Sequence, residues 1–75
     1  MNFSEWLEKN KGMSRKSSHD VASRLKRAMA ILGTENISSE DVSKLEGKEE
    51  FQALSLTVKS QLRRSIRLYA EFKTI

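Results

Sequence analysis

The chain contains no proline, and its three glycines divide it into segments of helical periodicity. Gly12, Gly33 and Gly47 each follow a stretch in which apolar residues recur at every third or fourth position. Glycine is favoured just after a helix because it readily adopts the left-handed conformation found there. No strand-like alternation of apolar and polar residues competes with this pattern. The sequence therefore predicts an all-α protein.

The starts of four predicted helices carry short polar residues that typically cap helices. Such side chains accept hydrogen bonds from free N–H groups of the first helical turn. The predicted caps are Asn2, Ser14, Ser38 and Ser55.

The signals for a helix start agree most fully around Ser38. Asp41 lies three residues further on, in the arrangement of a capping box, and Ile37 can pack against Val42 as a hydrophobic staple. We expect this third helix to be interrupted near Gly47, with another short turn of helix over residues 48–54. The expected fold is a single domain, residues 1–75, that forms a compact all-α bundle of four main helices.

The composition argues against several classes of function. With no cysteine and one histidine, neither a disulfide framework nor a metal site is expected. No nucleophile–base pair, catalytic carboxylate pair or phosphate-binding glycine loop is visible, so we expect no catalysis, no cofactor and no small-molecule substrate. The apolar runs are short, and we expect a cytoplasmic protein without a membrane partner.

Positive charge is in excess and unevenly distributed. The formal net charge is +4 and the pI is about 9.7. Basic residues concentrate in residues 9–27 and 59–73, whereas acidic residues concentrate in the middle of the chain. We expect the acidic residues to form a solvated side of the molecule, turned away from any nucleic acid. The mid-chain acids are Glu35, Glu40, Asp41, Glu46, Glu49 and Glu50, and all but Glu35 are expected on this side.

The spacing of apolar residues in 55–72 predicts a helix with apolar and basic residues on opposite sides. The apolar arc consists of Val58, Leu62, Ser65, Ile66, Tyr69 and Phe72. On the far side, Lys59, Arg63 and Arg67 follow one another at four-residue spacing. Like charges at this spacing destabilise a helix by a few tenths of a kcal/mol per pair, so helix stability does not explain the row. It is either a surface for a nucleic-acid backbone or an ordinary solvated face.

The second predicted helix runs from its cap, Ser14, to about Leu32. Its start combines hydroxyl and basic side chains, and Lys26 lies on the same polar side further along. Helix N-termini favour anions because their N–H groups are free, so this combination suits phosphate. Ordinary capping beside a solvated face is the alternative. The residues at the start are Ser14, Arg15, Lys16 and Ser17.

Three segments resemble a known domain. Residues 3–7 read FSEWL, residues 12–25 read GMSRKSSHDVASRL, and residues 65–72 read SIRLYAEF. They are similar to the core-binding domain of tyrosine recombinases, the SAM-like N-terminal domain of phage integrases. Val21 and Ser17 stand where that family commonly has tyrosine and threonine. The catalytic domain has no counterpart, since a His-x-x-Arg pair is absent and the single tyrosine, Tyr69, lies on the apolar arc.

The resemblance implies DNA binding without strand cleavage. In the family, this domain is half of a clamp around duplex DNA, and its second and fourth helices face the major groove. Contacts are expected chiefly with phosphates, and Gln61 and Arg63 are candidates for contacts with base edges. Together, the polar faces and the resemblance predict a DNA-binding site made of Ser14, Arg15, Lys16, Ser17, Lys26, Lys59, Ser60, Arg63 and Arg67.

Two other functions fit the same sequence. A helical domain of this kind can serve as a protein-interaction module, in which Met13, Trp6 or Phe72 would be partly exposed and contact another chain. It can also be the targeting domain of a larger nuclease or restriction-type protein. A large exposed apolar patch would favour the interaction module, and a continuous basic strip would favour DNA.

Overall fold

The computed structural model describes residues 1–74, which form five α-helices and no strand. The helices are α1 (Phe3–Lys11), α2 (Arg15–Leu32), α3 (Asp41–Glu46), α4 (Glu49–Gln52) and α5 (Leu56–Lys73). The prediction of an all-α protein is confirmed. The interruption predicted near Gly47 is also present, since it separates α3 from the single turn of α4.

Three of the four predicted caps are confirmed. Asn2 Oδ1 accepts a hydrogen bond from the Glu5 N–H at 2.9 Å. Ser14 Oγ accepts from the Ser17 N–H at 3.1 Å, and Ser55 Oγ accepts from the Val58 N–H at 3.3 Å. A cap of this kind typically contributes about 1 kcal/mol, so these side chains fix where α1, α2 and α5 begin.

The predicted start of the third helix was wrong. Ser38 does not cap it, and α3 begins at Asp41. Half of the expected capping box is present, because Asp41 Oδ2 accepts from the Ser38 N–H at 2.7 Å. The other half is missing, because the Asp41 N–H donates to the backbone carbonyl of Ser38 at 3.0 Å. The segment therefore closes a tight turn before the helix begins, next to Ile37, which is fully buried.

The core lies between α2 and α5, which make the most extensive contact of any two helices. Helices α1 and α3 each contact both members of this pair, and α4 contacts α3. The buried apolar residues are Phe3, Trp6, Leu7, Val21, Leu25, Ala28, Ile37, Leu45, Phe51, Leu62 and Ile66. The Cα radius of gyration of 11.9 Å is close to the value of about 11 Å expected for a compact chain of this length.

Aromatic side chains join α1 to the C-terminal half of α5. The ring centroids of Phe3 and Tyr69 are 5.2 Å apart in an edge-to-face arrangement, and those of Trp6 and Phe72 are 5.6 Å apart. Trp6 is 4 % exposed and belongs to the core. None of the helices within residues 1–74 is long and apolar enough to cross a membrane.

Candidate nucleic-acid interface

The basic row predicted on the last helix divides into two environments. Lys59 and Arg63 lie on the side of α5 that faces Phe51 of α4. The Lys59 Nζ is 5.9 Å from the centroid of the Phe51 ring, and the Arg63 guanidinium carbon is 5.3 Å from it. Both side chains therefore cover part of a buried ring. The position is favourable for their cationic groups, because the face of an aromatic ring attracts positive charge.

Arg63 is also engaged in an ion pair. Its Nε donates to Glu46 Oε1 at 2.7 Å, and the two side chains are 29 % and 46 % exposed. A partly exposed pair of this kind contributes at most about 1 kcal/mol to stability, but it places a negative charge beside one of the predicted DNA contacts. Arg63 is thus not a free phosphate ligand in this structure.

The same contact corrects the expected position of the acidic residues. Glu46 is exposed as expected, but it is not separate from the basic residues because its carboxylate pairs with Arg63 of α5. Asp41 is 5 % exposed and accepts a hydrogen bond from Ser38. Glu40, Glu49 and Glu50 are exposed as expected.

The solvent-facing side of α5 carries a second set of residues, which we call the outer row. Spacings of four, four and three residues place them on one face of the helix, and all four are exposed. Arg64 and Arg67 form no ion pair with any residue in the described part of the chain. The outer row consists of Leu56, Ser60, Arg64 and Arg67.

The predicted site includes only two members of the outer row. Ser60 and Arg67 were predicted, whereas Arg64 and Leu56 were not. The available signal for Arg64 was its position about 100° around the helix from Arg63, also away from the apolar arc. In the structure, Phe51 of α4 lies against Lys59 and Arg63, and Glu46 of α3 pairs with Arg63. Arg67 is exposed, as Arg64 is.

The start of α2 presents a compact polar end. The Ser14 hydroxyl accepts from the Ser17 N–H and lies 3.1 Å from the Ser17 hydroxyl, so each serine satisfies the other. Ser14 thus caps α2, and its hydroxyl donates to Ser17 Oγ. The side chains of Arg15 and Lys16 are exposed, and Lys26 is exposed about 15 Å further along the helix at 1.5 Å per residue.

Charge is segregated by element. In α2, five basic residues accompany a single acid, Asp20. In α5, five basic residues accompany Glu71, whose carboxylate pairs with Lys11 of α1 at 2.6 Å. Residues 33–55 hold six acids and two lysines. The two central helices therefore carry the positive excess of the molecule.

Of the apolar residues named for a protein-interaction module, Trp6 is buried, whereas Met13 and Phe72 are partly exposed, as that alternative expects, and pack against the core. Among residues 1–74, the large hydrophobic side chains that are well exposed are Met1 and Leu56. Within the same residues, no group of three or more His, Asp or Glu side chains is placed to hold a metal ion.

The comparisons with known proteins give no family. No protein-family model matches the chain, and no curated protein and no solved structure matches it significantly.

Proposed function

We propose that this chain binds duplex DNA without cleaving it, chiefly through phosphates, with α5 and the start of α2. The observation that carries the proposal is the charge segregation: each of these helices has a net charge of +4, whereas residues 33–55 have a net charge of −4. A surface of one sign attracts a polyanion and speeds its association. Phosphate contacts of Lys and Arg supply most of the affinity in sequence-independent DNA binding.

Arg64 and Arg67 are the principal phosphate ligands of this proposal. Both are exposed, and neither has an acidic partner within the described residues. Arg15 and Lys16 add a second set of contacts at the N-terminus of α2, where the helix dipole also favours an anion. Arg63 joins the site only when its ion pair with Glu46 opens.

The resemblance to the recombinase core-binding domain supports the same proposal. In that family the helices facing DNA are the second and the fourth, and their counterparts here are α2 and α5, with α3 and α4 together as the interrupted third helix. We propose a SAM-like arrangement of four main helices on this basis. Such a domain without its catalytic partner is expected to bind at the non-specific level, with a Kd of about 10⁻⁴ to 10⁻⁶ M at physiological salt.

The test compares two double charge reversals with the same net charge. Arg64→Glu with Arg67→Glu removes the two arginines of the outer row, and Lys9→Glu with Lys48→Glu removes two exposed lysines elsewhere. Each pair changes the formal net charge from +4 to 0. Fluorescence anisotropy with a mixed-sequence duplex gives Kd over a range of salt concentrations, and circular dichroism confirms that each variant is folded.

We expect only the arginine pair to lose specific phosphate contacts. The slope of log K against log salt should then fall by about two, because each lost contact removes about 0.9. The lysine pair should keep the wild-type slope and lose affinity only modestly. Equal losses of affinity and slope in the two variants would mean that net charge, and not this face, governs binding, and the proposal would be wrong.

A further inference from the structure

A single turn of helix covers two of the basic residues of α5. This turn, α4, lies within residues 48–54, which we call the α4 segment, and its buried residue is Phe51. The Lys59 Nζ and the Arg63 guanidinium carbon lie 5.9 and 5.3 Å from the centroid of the Phe51 ring. Neither cation belongs to the outer row. The α4 segment therefore occupies a second, separate part of the basic surface.

Few interactions hold the α4 segment in place. Five of its seven residues are exposed, and no side chain caps the start of α4. One helical turn is unstable by itself because nucleation of a helix is unfavourable. Segments with few buried contacts open locally at a lower free energy than the rest of a fold. Burial of the Phe51 ring, which is 1 % exposed, is the chief apolar contact that keeps the segment closed.

The same part of the molecule carries negative charge. Glu49 and Glu50 are exposed residues of α4, and Glu46 at the end of α3 accepts from the Arg63 Nε at 2.7 Å. Carboxylates repel DNA phosphates, whereas Lys59 and Arg63 attract them. A closed α4 segment therefore holds acids beside two cations that a polyanion would otherwise reach.

We propose that the α4 segment is a displaceable cover on α5, and that duplex DNA bound to the outer row opens it. Opening exposes Phe51, which keeps the segment closed in the free protein, and frees Lys59 and Arg63 for two further phosphates. Coupling between two equilibria is reciprocal, so DNA favours the open segment and the closed segment weakens DNA binding. The inference rests on the proposed DNA binding and adds an autoinhibitory contact to it.

Amide hydrogen exchange with and without duplex tests the opening directly. The amides of Gln52, Ala53 and Leu54 donate to carbonyls within the segment at 3.1, 3.0 and 3.0 Å, so their exchange reports on its closed state. A ligand that only covers a surface slows exchange or leaves it unchanged. With saturating mixed-sequence duplex at low salt, these three amides should exchange faster than in the free protein, whereas the amides of α5 should not.

Two glycine substitutions separate the α4 segment from the rest of the fold. Gln52→Gly weakens α4 without changing the charge, and Ala30→Gly makes a matched change at an exposed residue of α2. Gln52→Gly should bind the duplex up to about fivefold more tightly than the wild type, the factor equivalent to about 1 kcal/mol of lost helix propensity. Ala30→Gly should bind like the wild type. Circular dichroism and thermal unfolding check that both variants are folded.

A charge variant tests whether Lys59 reaches the DNA. Lys59→Gln should lower the slope of log K against log salt by about one, because one phosphate contact is lost. Lys9→Gln removes the same charge from an exposed residue of α1 and should keep the wild-type slope. Lys59 is not among the phosphate ligands of the proposed function, so contacts by the outer row alone predict equal slopes for the two variants.

The contrary outcomes separate this inference from the proposed function. Exchange in the α4 segment that is unchanged or slower in the complex would overturn the opening. Equal affinities for Gln52→Gly and Ala30→Gly, or equal salt slopes for Lys59→Gln and Lys9→Gln, would overturn it as well. In each of these cases phosphate binding by the outer row would stand. Failure of the wild type to bind duplex at low salt would overturn both proposals.

Discussion

Gly33 and Gly47 both follow a helix, yet their backbones are different. Gly33 has φ +73°, in the left-handed region, and its N–H donates to the Met29 carbonyl at 2.8 Å. Gly47 has φ −80°, which any residue adopts. A Cβ on Gly33 would meet no atom within 4 Å, and a Cβ on Gly47 would meet only the Lys44 carbonyl oxygen, at an ordinary 3.5 Å. Backbone strain alone therefore distinguishes the two sites.

Alanine at these two positions should have opposite effects. Gly33→Ala should lower the free energy of unfolding by about 1–2 kcal/mol, because a side chain is strained at positive φ. Gly47→Ala should raise it by about 0.4–1 kcal/mol, because alanine restricts the unfolded chain. Urea unfolding followed by circular dichroism measures both, and each variant is the control for the other. A loss of stability in both variants would contradict this account.

Asp41 illustrates how a residue predicted for the surface becomes part of the interior. Its carboxylate accepts from the Ser38 N–H, and it lies 3.7 Å from the Lys44 Nζ. A carboxylate that accepts a backbone N–H makes a charge-assisted hydrogen bond, which is stronger than a neutral one. This bond holds the turn that leads from the buried Ile37 into α3.

At the scale of the helices, α3 and α4 determine which basic residues of α5 are available. The single turn of α4 buries Phe51, over which Lys59 and Arg63 lie, and α3 brings Glu46 within 2.7 Å of the Arg63 Nε. These two short helices thereby cover one flank of α5. The outer row, on the other side of Arg63, is the part of the helix that faces solvent.

Removing the charge of Glu46 should release Arg63 for DNA. Glu46→Gln is expected to increase duplex affinity and to steepen the salt slope by about one, because one more phosphate contact forms. Stability should fall by less than about 1 kcal/mol, since the ion pair is partly exposed. The measurement is the same anisotropy titration over a salt series.

The control is Glu49→Gln, which makes the same charge change at an exposed residue that forms no ion pair within residues 1–74. It should raise affinity only slightly and leave the slope unchanged. Equal slopes for the two variants would indicate that Arg63 does not reach the DNA even when its partner is removed.

At the scale of the whole molecule, two helices of the same charge pack against each other. Both contribute to one apolar core, with Leu25 from α2 and Leu62 and Ile66 from α5, while their exposed basic residues face solvent. Hydrophobic burial of about 25 cal/mol per Å² outweighs the screened repulsion between surface charges. The positive excess of this fold is thus held in place by its core, and a polyanion that binds it relieves the repulsion.

Duplex DNA should therefore stabilise the folded protein. At a free duplex concentration of about 100 times Kd, the free energy of unfolding should rise by about 2.7 kcal/mol if the unfolded chain does not bind. A thermal-shift series with duplex at low salt measures this. The Arg64→Glu and Arg67→Glu double variant should show a much smaller shift under the same conditions. An equal shift in both proteins would assign the effect to DNA binding elsewhere on the surface.

The sequence by itself determined the helical elements, because their signals are local. Spacing of apolar residues, the caps Asn2, Ser14 and Ser55, and glycines after α1 and α2 act within a few residues of chain. It also determined that α2 and α5 carry the positive charge, which is a matter of composition. The prediction at Ser38 failed because tertiary burial of Ile37 and Asp41 changed the geometry of a locally plausible cap.

Only the tertiary structure decided which basic residues face solvent. On an isolated helix, periodicity places Arg63, Arg64 and Arg67 away from the apolar arc and does not say which of them another helix covers. The packing of α3 and α4 onto one flank of α5 then pairs Arg63 with Glu46 and leaves Arg64 and Arg67 exposed with Leu56. Because Glu46 and Arg63 are seventeen residues apart in the chain, no local pattern could reveal this contact.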